Sequence, residues 1–196
     1  MKTKILFAVV AIATSISFSG CLKKGEDDPF VSLKSRKARV AGDWKVTSLT
    51  YTTTYTNSGV TSTEIMTMNG STYTLTETDP SGTTTTTGTW TIENTFDKDG
   101  TYKSTDTEDG DVTSSTGTWN FSGGVGELKN KSQITMYELS STSTGNSNTW
   151  TGNYVDQAYD LKELKNKMMV WHYKSTSSSS SNSSSSYETE IVFEPK

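Results

Sequence analysis

From Gly42 onward the chain alternates apolar and polar residues with the period of a half-buried β-strand. Short segments rich in β-branched and aromatic residues end at Gly, Asn, Asp or Ser, which is typical of an all-β sandwich or barrel. The pattern predicts ten strands: Asp43–Thr54, Val60–Met68, Thr72–Thr78, Thr84–Ile92, Thr101–Thr107, Val112–Phe121, Gln133–Leu139, Thr149–Leu161, Met168–Ser175 and Tyr187–Glu194.

The alternation also predicts which side of each strand is buried. Six apolar or aromatic pairs lie two positions apart and therefore project to one side: Trp44/Val46, Tyr73/Leu75, Trp90/Ile92, Trp119/Phe121, Ile134/Met136 and Ile191/Phe193. The opposite side is mostly Thr, Lys and Glu, as in an antiparallel sheet with one wet face.

The connections are short and carry hairpin turn residues such as Asn69-Gly70 and Asp109-Gly110. No stretch between them is long enough for a crossover helix, so we expect an antiparallel up-and-down meander. Closing this meander into a barrel of about 8–10 strands would remove both exposed sheet edges.

A short repeat and a serine-rich segment stand out from the simple alternation. The repeat consists of "TTTTGTWTI" and "VTSSTGTWNF", which end 29 residues apart and indicate two similar hairpins, since a solenoid needs three or more units. The segment Ser175–Ser186 is almost entirely serine, and we expect it to be a flexible hairpin loop between the last two strands.

The N-terminus has a different composition. Lys2 and Lys4 precede an apolar run from Ile5 to Ile12, and small residues continue to Gly20. This is the pattern of a secretory signal over residues 1–20, and a start at Met1 with two lysines argues against a buried core helix. We expect residues 21–40 to form a tether and residues 41–196 a single barrel domain.

Charge limits the classes of partner. Without the signal, 16 Lys and Arg oppose 22 Asp and Glu, and residues 41–196 alone carry a net charge of −9. Nothing resembles the basic stripe of a nucleic-acid-binding protein, so no nucleic-acid partner is expected. With one cysteine, Cys21, the chain has no intramolecular disulfide.

Catalytic and metal chemistry find little support. The lone histidine, His172, alternates to the face opposite Trp171 and Tyr173, and serines and aspartates are too frequent to single out a triad. "DKDG" and "TEDGD" resemble the opening of a calcium loop, but neither continues to the required glutamate. We therefore expect no enzyme, no metal site and no cofactor besides a covalent lipid.

Aromatic residues leave two interpretations open. The chain has five tryptophans and nine tyrosines, which can be core or the wall of a ligand cavity. A closed barrel can enclose space that its own side chains do not fill. The residues we expect to line such a cavity are Trp44, Tyr73, Trp90, Trp119 and Trp171.

The segment Phe18-Ser19-Gly20-Cys21 resembles a bacterial lipobox, with Phe in place of the usual Leu. The resemblance implies cleavage before Cys21 and attachment of diacylglycerol and an acyl chain such as palmitate to that residue. Leu22 at the next position is similar to lipoproteins destined for the outer membrane, and "KKGEDD" resembles the tether of some surface-exposed lipoproteins.

The segment "KARVAGDWKVTSLTY" resembles the start of bacterial lipocalin-like lipoproteins, in which a Gly-x-Trp motif opens the first strand. Here Gly42-Asp43-Trp44 matches that motif, and "YDLKELKNKMMVWHY" is similar to a late hairpin of the same group. The resemblance implies a barrel whose closed end is plugged by Trp44.

Together these patterns predict a lipoprotein held at the outer membrane by its lipid anchor. Its lipocalin-like barrel would bind a small apolar or amphipathic ligand. The alternative is a non-catalytic structural or interaction module, whose filled barrel presents loops at the cell surface.

Overall fold

The computed structural model describes residues 34–123, 132–145, 149–179 and 182–196. A short helix, α1 (Arg36–Val40), precedes ten strands. The strands are β1 (Gly42–Asn57), β2 (Val60–Asn69), β3 (Thr72–Asp79), β4 (Gly82–Phe96), β5 (Thr101–Glu108), β6 (Asp111–Ser122), β7 (Gln133–Ser143), β8 (Thr149–Leu164), β9 (Met169–Ser179) and β10 (Ser183–Pro195).

The strands form one closed antiparallel barrel in which each strand pairs with the next along the chain. β10 closes the barrel against β1, in a register that runs from Trp44↔Pro195 to Asn57↔Ser183. The predicted all-β meander and its closure are therefore confirmed, and each predicted strand overlaps an observed one. We call the end where β1 begins the closed end, and the end of the β1–β2 turn the open end.

The barrel is narrower at the closed end. There β1 pairs directly with β4, from Gly42↔Phe96 to Lys45↔Glu93, and bypasses β2 and β3. The β2–β3 turn sits in the fork, where the Gly70 amide donates to the Thr47 carbonyl at 2.9 Å. Leaving out β2 and β3, eight of the ten strands surround the closed end.

The apolar core fills this narrow half. Its most deeply buried side chains come from six strands and α1: Val40, Met68, Phe96, Ile134, Leu164, Met169, Trp171 and Phe193. Burying each large apolar side chain contributes about 1.5–3 kcal/mol, so the closed half supplies most of the hydrophobic stabilisation.

Helix α1 covers the closed end. Ser35 caps it by accepting a hydrogen bond from the Ala38 amide at 3.1 Å. The Trp44 indole donates to the Val40 carbonyl at 2.7 Å, and the buried Arg39 guanidinium donates to the Leu164 carbonyl. This helix lies in the segment that the sequence assigned to the tether, and the chain enters the barrel from it.

The expectation of a flexible serine loop is wrong. β9 continues to Ser179 and β10 begins at Ser183, so most of the serine-rich segment is a paired hairpin. β10 is hydrogen-bonded on both sides, to β9 and to β1, from its first residue onward. Two neighbouring ladders satisfy the backbone, and this tertiary context overrides the low strand propensity of serine.

The 29-residue repeat corresponds to two hairpins with the same cross-strand contact. Tyr73 on β3 pairs with Gly88 on β4, and Tyr102 on β5 pairs with Gly117 on β6. In each case the tyrosine ring lies over the glycine, where a Cβ atom would come within 2.6 Å of the ring. The repeat therefore places two large rings inside the barrel.

Candidate functional site

The interior of the barrel changes character toward the open end. Several inward-facing residues there, such as Trp90 and Tyr173, keep partial exposure, whereas Met66 and Thr189, which pair with Tyr51, are buried. We call this region the upper interior; it comprises Tyr51, Thr53, Glu64, Leu75, Glu77, Trp90, Ile92, Asp106, Glu108, Tyr173, Tyr187 and Ile191.

A line of aromatic rings crosses four adjacent strands of this region. The ring centroids of Tyr51 and Tyr187 are 6.1 Å apart, and those of Tyr187 and Tyr173 are 5.9 Å apart. Tyr173 is 6.1 Å from Tyr159, which is 5.3 Å from Trp171 in the core. The line thus connects the open end with the floor of the upper interior.

Glu64 stands at one end of this line. The Tyr51 hydroxyl donates a hydrogen bond to its carboxylate. Burial, this hydrogen bond and the nearby charges of Glu64 and Glu77 all raise the pKa of Tyr51 well above its usual range. Tyr51 therefore stays a neutral donor, and the carboxylate keeps its remaining acceptor positions toward the interior.

A second carboxylate lies on another wall. The Trp90 indole donates to Asp106, and the Trp90 ring meets Tyr73 edge to face at 6.5 Å. Burial raises the pKa of Asp106, the Trp90 hydrogen bond opposes this, and the charge of Glu108 adds to it. Asp106 is thus an acid held partly out of water beside an aromatic ring.

The β5–β6 turn fixes Tyr73 and β4 together. Asp109 accepts from the Thr89 amide at 2.7 Å and from the Tyr73 hydroxyl at 3.2 Å. The backbone and side-chain hydrogen bonds from Thr89 are the main reason that the pKa of Asp109 is lowered. The Asp109 carboxylate therefore holds the turn against β3 and β4, which is a structural role.

The five residues predicted to line a ligand cavity fall into three places. Trp44 is at the closed end beneath α1, and Trp119 and Trp171 flank Phe96 in the core, with centroids 5.8 and 5.7 Å from it. These three are at most 4% exposed.

The other two predicted residues, Tyr73 and Trp90, contact each other at the border between the core and the upper interior. Of the five, Trp90 alone is partly exposed, and the other four are at most 8% exposed.

Sequence reasoning missed Tyr51, Glu64, Asp106, Tyr173 and Tyr187. A signal for the tyrosines exists, because Tyr51 lies two positions after Leu49 and Tyr187 lies four before Ile191, on the same faces. No comparable signal exists for the acids, which alternation alone would place on any exposed strand end.

His172 faces outward, as predicted. Its Nε2 lies 3.0 Å from Glu188, which also accepts from Lys174 at 2.8 Å. These hydrogen bonds, first that from Lys174, lower the pKa of Glu188 to about 2. The three residues form a hydrogen-bonded cluster on the outer surface of β9 and β10.

Aspartates of the two calcium-like turns accept hydrogen bonds from the protein's own backbone. Asp99 accepts from the Thr101 amide at 2.9 Å, and Asp109 accepts from the Thr89 amide at 2.7 Å. Within the described ranges, no three His, Cys, Asp or Glu side chains come close enough together to hold a metal ion. No helix among the same residues is long and apolar enough to cross a membrane.

A depression of about 280 Å³ lies near the open end between β1, β9 and β10. Hydroxyl-bearing residues line it throughout: Thr54, Thr176, Ser177, Ser178, Ser184, Ser185 and Ser186.

Cys21 and the signal at residues 1–20 lie outside the described residues. No family model, no curated protein and no solved structure matches the chain. The lipocalin-like resemblance therefore rests on the quoted motifs alone.

Proposed function

We propose that the protein is a lipid-anchored outer-membrane lipoprotein whose lipocalin-like barrel binds a small amphipathic ligand in the upper interior. Cys21 would carry the lipid, and the narrow half of the barrel would serve as a rigid base. The ligand's apolar part would contact the aromatic line, and its polar part would lie at the open end.

One observation carries the ligand proposal: the barrel is divided into a filled half and a partly solvated half. In the closed half, side chains such as Phe96 and Trp171 are at most 2% exposed. In the open half, the inward-facing Trp90 and Tyr173 remain partly exposed. Aromatic walls with a few placed polar groups are the usual lining of a small-molecule site.

The anchor proposal rests on the lipobox and on where the chain enters the barrel. Ser35 and α1 lie at the closed end, so a lipid on Cys21 would hold that end nearer to the membrane. The open end would then be directed toward the aqueous phase. Stable anchoring takes more than one acyl chain, which a lipidated N-terminal cysteine supplies.

Ligand binding is tested by titrating the intrinsic tryptophan fluorescence with fatty acids, sterols and haem-like molecules. We expect a saturable change that Trp90→Phe removes and that Trp44→Phe, at the closed end, retains. A flat response to every probe would contradict a ligand site in the upper interior.

Anchoring is tested by fractionating cells that express the full chain. We expect Cys21→Ser to release the protein from the membrane fraction or to leave it unprocessed, whereas the tether variant Lys24→Ser should be retained. Membrane retention of Cys21→Ser would defeat the anchor proposal.

The interaction-module alternative has one observation in its favour. The β3–β4 hairpin extends past its neighbour β5, and residues 82–87 of β4 are exposed on both faces. Such a hairpin is available to a surface partner. A flat ligand titration would favour this alternative.

A further inference from the structure

We propose that the upper interior selects ligands that carry an organic cation, such as an alkylammonium group, at the open end. This inference rests on the proposed ligand site and specifies which head group the site accepts. Two separate features support it: the sorting of charges across the barrel wall and the aromatic line.

Charges are sorted between the two faces of the barrel wall. Among the described side chains of the strands, the charged ones that face inward are acidic, and they include Glu64, Glu77, Asp106, Glu108, Asp111 and Glu138. Outward faces mix signs, as in the Lys162–Glu190 and Lys174–Glu188 ion pairs. An interior lined by one sign of charge concentrates ligands of the opposite sign.

The aromatic line adds attraction for the same kind of group. Tyr51, Tyr187 and Tyr173 are spaced about 6 Å apart across the wall that ends at Glu64. Ring faces attract cations through their quadrupole, and aromatic cages recognise quaternary ammonium groups in this way. An ammonium ion lying over the ring of Tyr51 would be near the Glu64 carboxylate.

The environment of Asp106 also favours a cationic ligand. Burial disfavours the ionised form of this carboxyl group, so an ionised Asp106 lowers the stability of the empty protein. A bound cation would remove this penalty. An Asn side chain would accept the same hydrogen bond from Trp90, so this contact does not require the negative charge.

The test compares three probes with the same decyl tail on the full-length chain: decyltrimethylammonium, decanoate and decyl glucoside. Their dissociation constants are measured by isothermal titration calorimetry below the micellar concentrations. We expect the cation to bind about tenfold more tightly than the other two, and the difference to shrink at high salt.

Variants assign the preference to the interior acids. Glu64→Gln and Asp106→Asn should each weaken the cation about fivefold and leave the uncharged probe unchanged. Glu188→Gln removes the same charge from the outer face and should change neither affinity.

Equal or tighter binding of decanoate or decyl glucoside would overturn the cation inference while leaving the ligand site in place. Absence of binding by all three probes would overturn the ligand site and the inference together.

Discussion

The repeated tyrosine-over-glycine contact allows a sharp test of the barrel interior, beginning with Gly88→Ala. A Cβ at this position would lie 2.6 Å from Tyr73 Cε1 and 2.7 Å from both carboxylate oxygens of Asp109. All of these atoms belong to side chains that can rotate. The φ angle of Gly88 is not positive, so the requirement for glycine here is steric and not conformational.

Gly117 occupies the equivalent position one repeat later, but its neighbours differ. A Cβ there would lie 2.6 Å from Tyr102 Cε1 and only 2.0 Å from the backbone carbonyl oxygen of Tyr137. A carbonyl within a hydrogen-bonded strand cannot rotate away. Gly117→Ala must therefore displace β7 or its bulge from β6.

The two substitutions should differ clearly in free energy of unfolding. Overpacking costs about 1–3 kcal/mol, and replacing Gly by Ala returns about 0.4–1 kcal/mol by restricting the unfolded chain. We expect Gly88→Ala to cost about 1 kcal/mol and Gly117→Ala about 3 kcal/mol. At a urea m-value of roughly 2 kcal/mol/M, the midpoint falls by about 0.5 M and 1.5 M.

Urea unfolding followed by tryptophan fluorescence measures both midpoints, with the exposed neighbours Thr87→Ala and Thr118→Ala as controls near wild type. A second substitution, Tyr73→Leu, should relieve Gly88→Ala, whereas Tyr102→Leu should not relieve Gly117→Ala. Equal costs for the two glycines, or relief at Gly117, would refute the contact geometry.

Three further predictions concern single interactions. Trp44→Phe removes the donor to the Val40 carbonyl and should lower the urea midpoint by an amount equivalent to about 1–3 kcal/mol. An unchanged midpoint would show that this hydrogen bond does not stabilise the packing of α1 on the barrel. At pH values above the raised pKa of Asp106, Asp106→Asn should raise the urea midpoint, because it removes a carboxylate whose ionised form is disfavoured by burial. This advantage over wild type should disappear as the pH falls toward 3.8, where the folded wild-type protein has already taken up the proton. A constant difference between variant and wild type from about pH 7 to 3 would contradict this. The pKa of Glu188 is lowered to about 2 mainly by Lys174, so the stability contributed by its ionised form should be present above pH 4.5 and lost between pH 4.5 and 2. In a plot of the urea midpoint against pH, Glu188→Gln should abolish the fall in midpoint that this carboxylate causes over that range.

The sequence predicted the strands well where alternation was strong. Trp90/Ile92 and Ile191/Phe193 face inward as expected, because the period of two is a local property of a strand and large apolar side chains have one favourable side. The serine-rich segment shows the limit of this logic. Its residues are polar on both faces, so alternation cannot identify them as a strand. They form a strand because they pair with β1, more than a hundred residues away.

The candidate site was predicted less well for a related reason. Aromatic size indicated interior positions but not height in the barrel, so Trp44, Trp119 and Trp171 were grouped with Trp90 although they lie in the filled half. Height depends on strand tilt and register between strands, and neither leaves a local pattern in the chain.

By itself, then, the sequence determined the all-β meander, the inward faces and the hairpin turns, since each follows from a few consecutive residues. The tertiary structure decided that the barrel narrows where β1 meets β4, that α1 covers that end, and that acids and tyrosines share the open half. These features come from pairings between distant strands, where burial and hydrogen-bond closure of the whole barrel set the register.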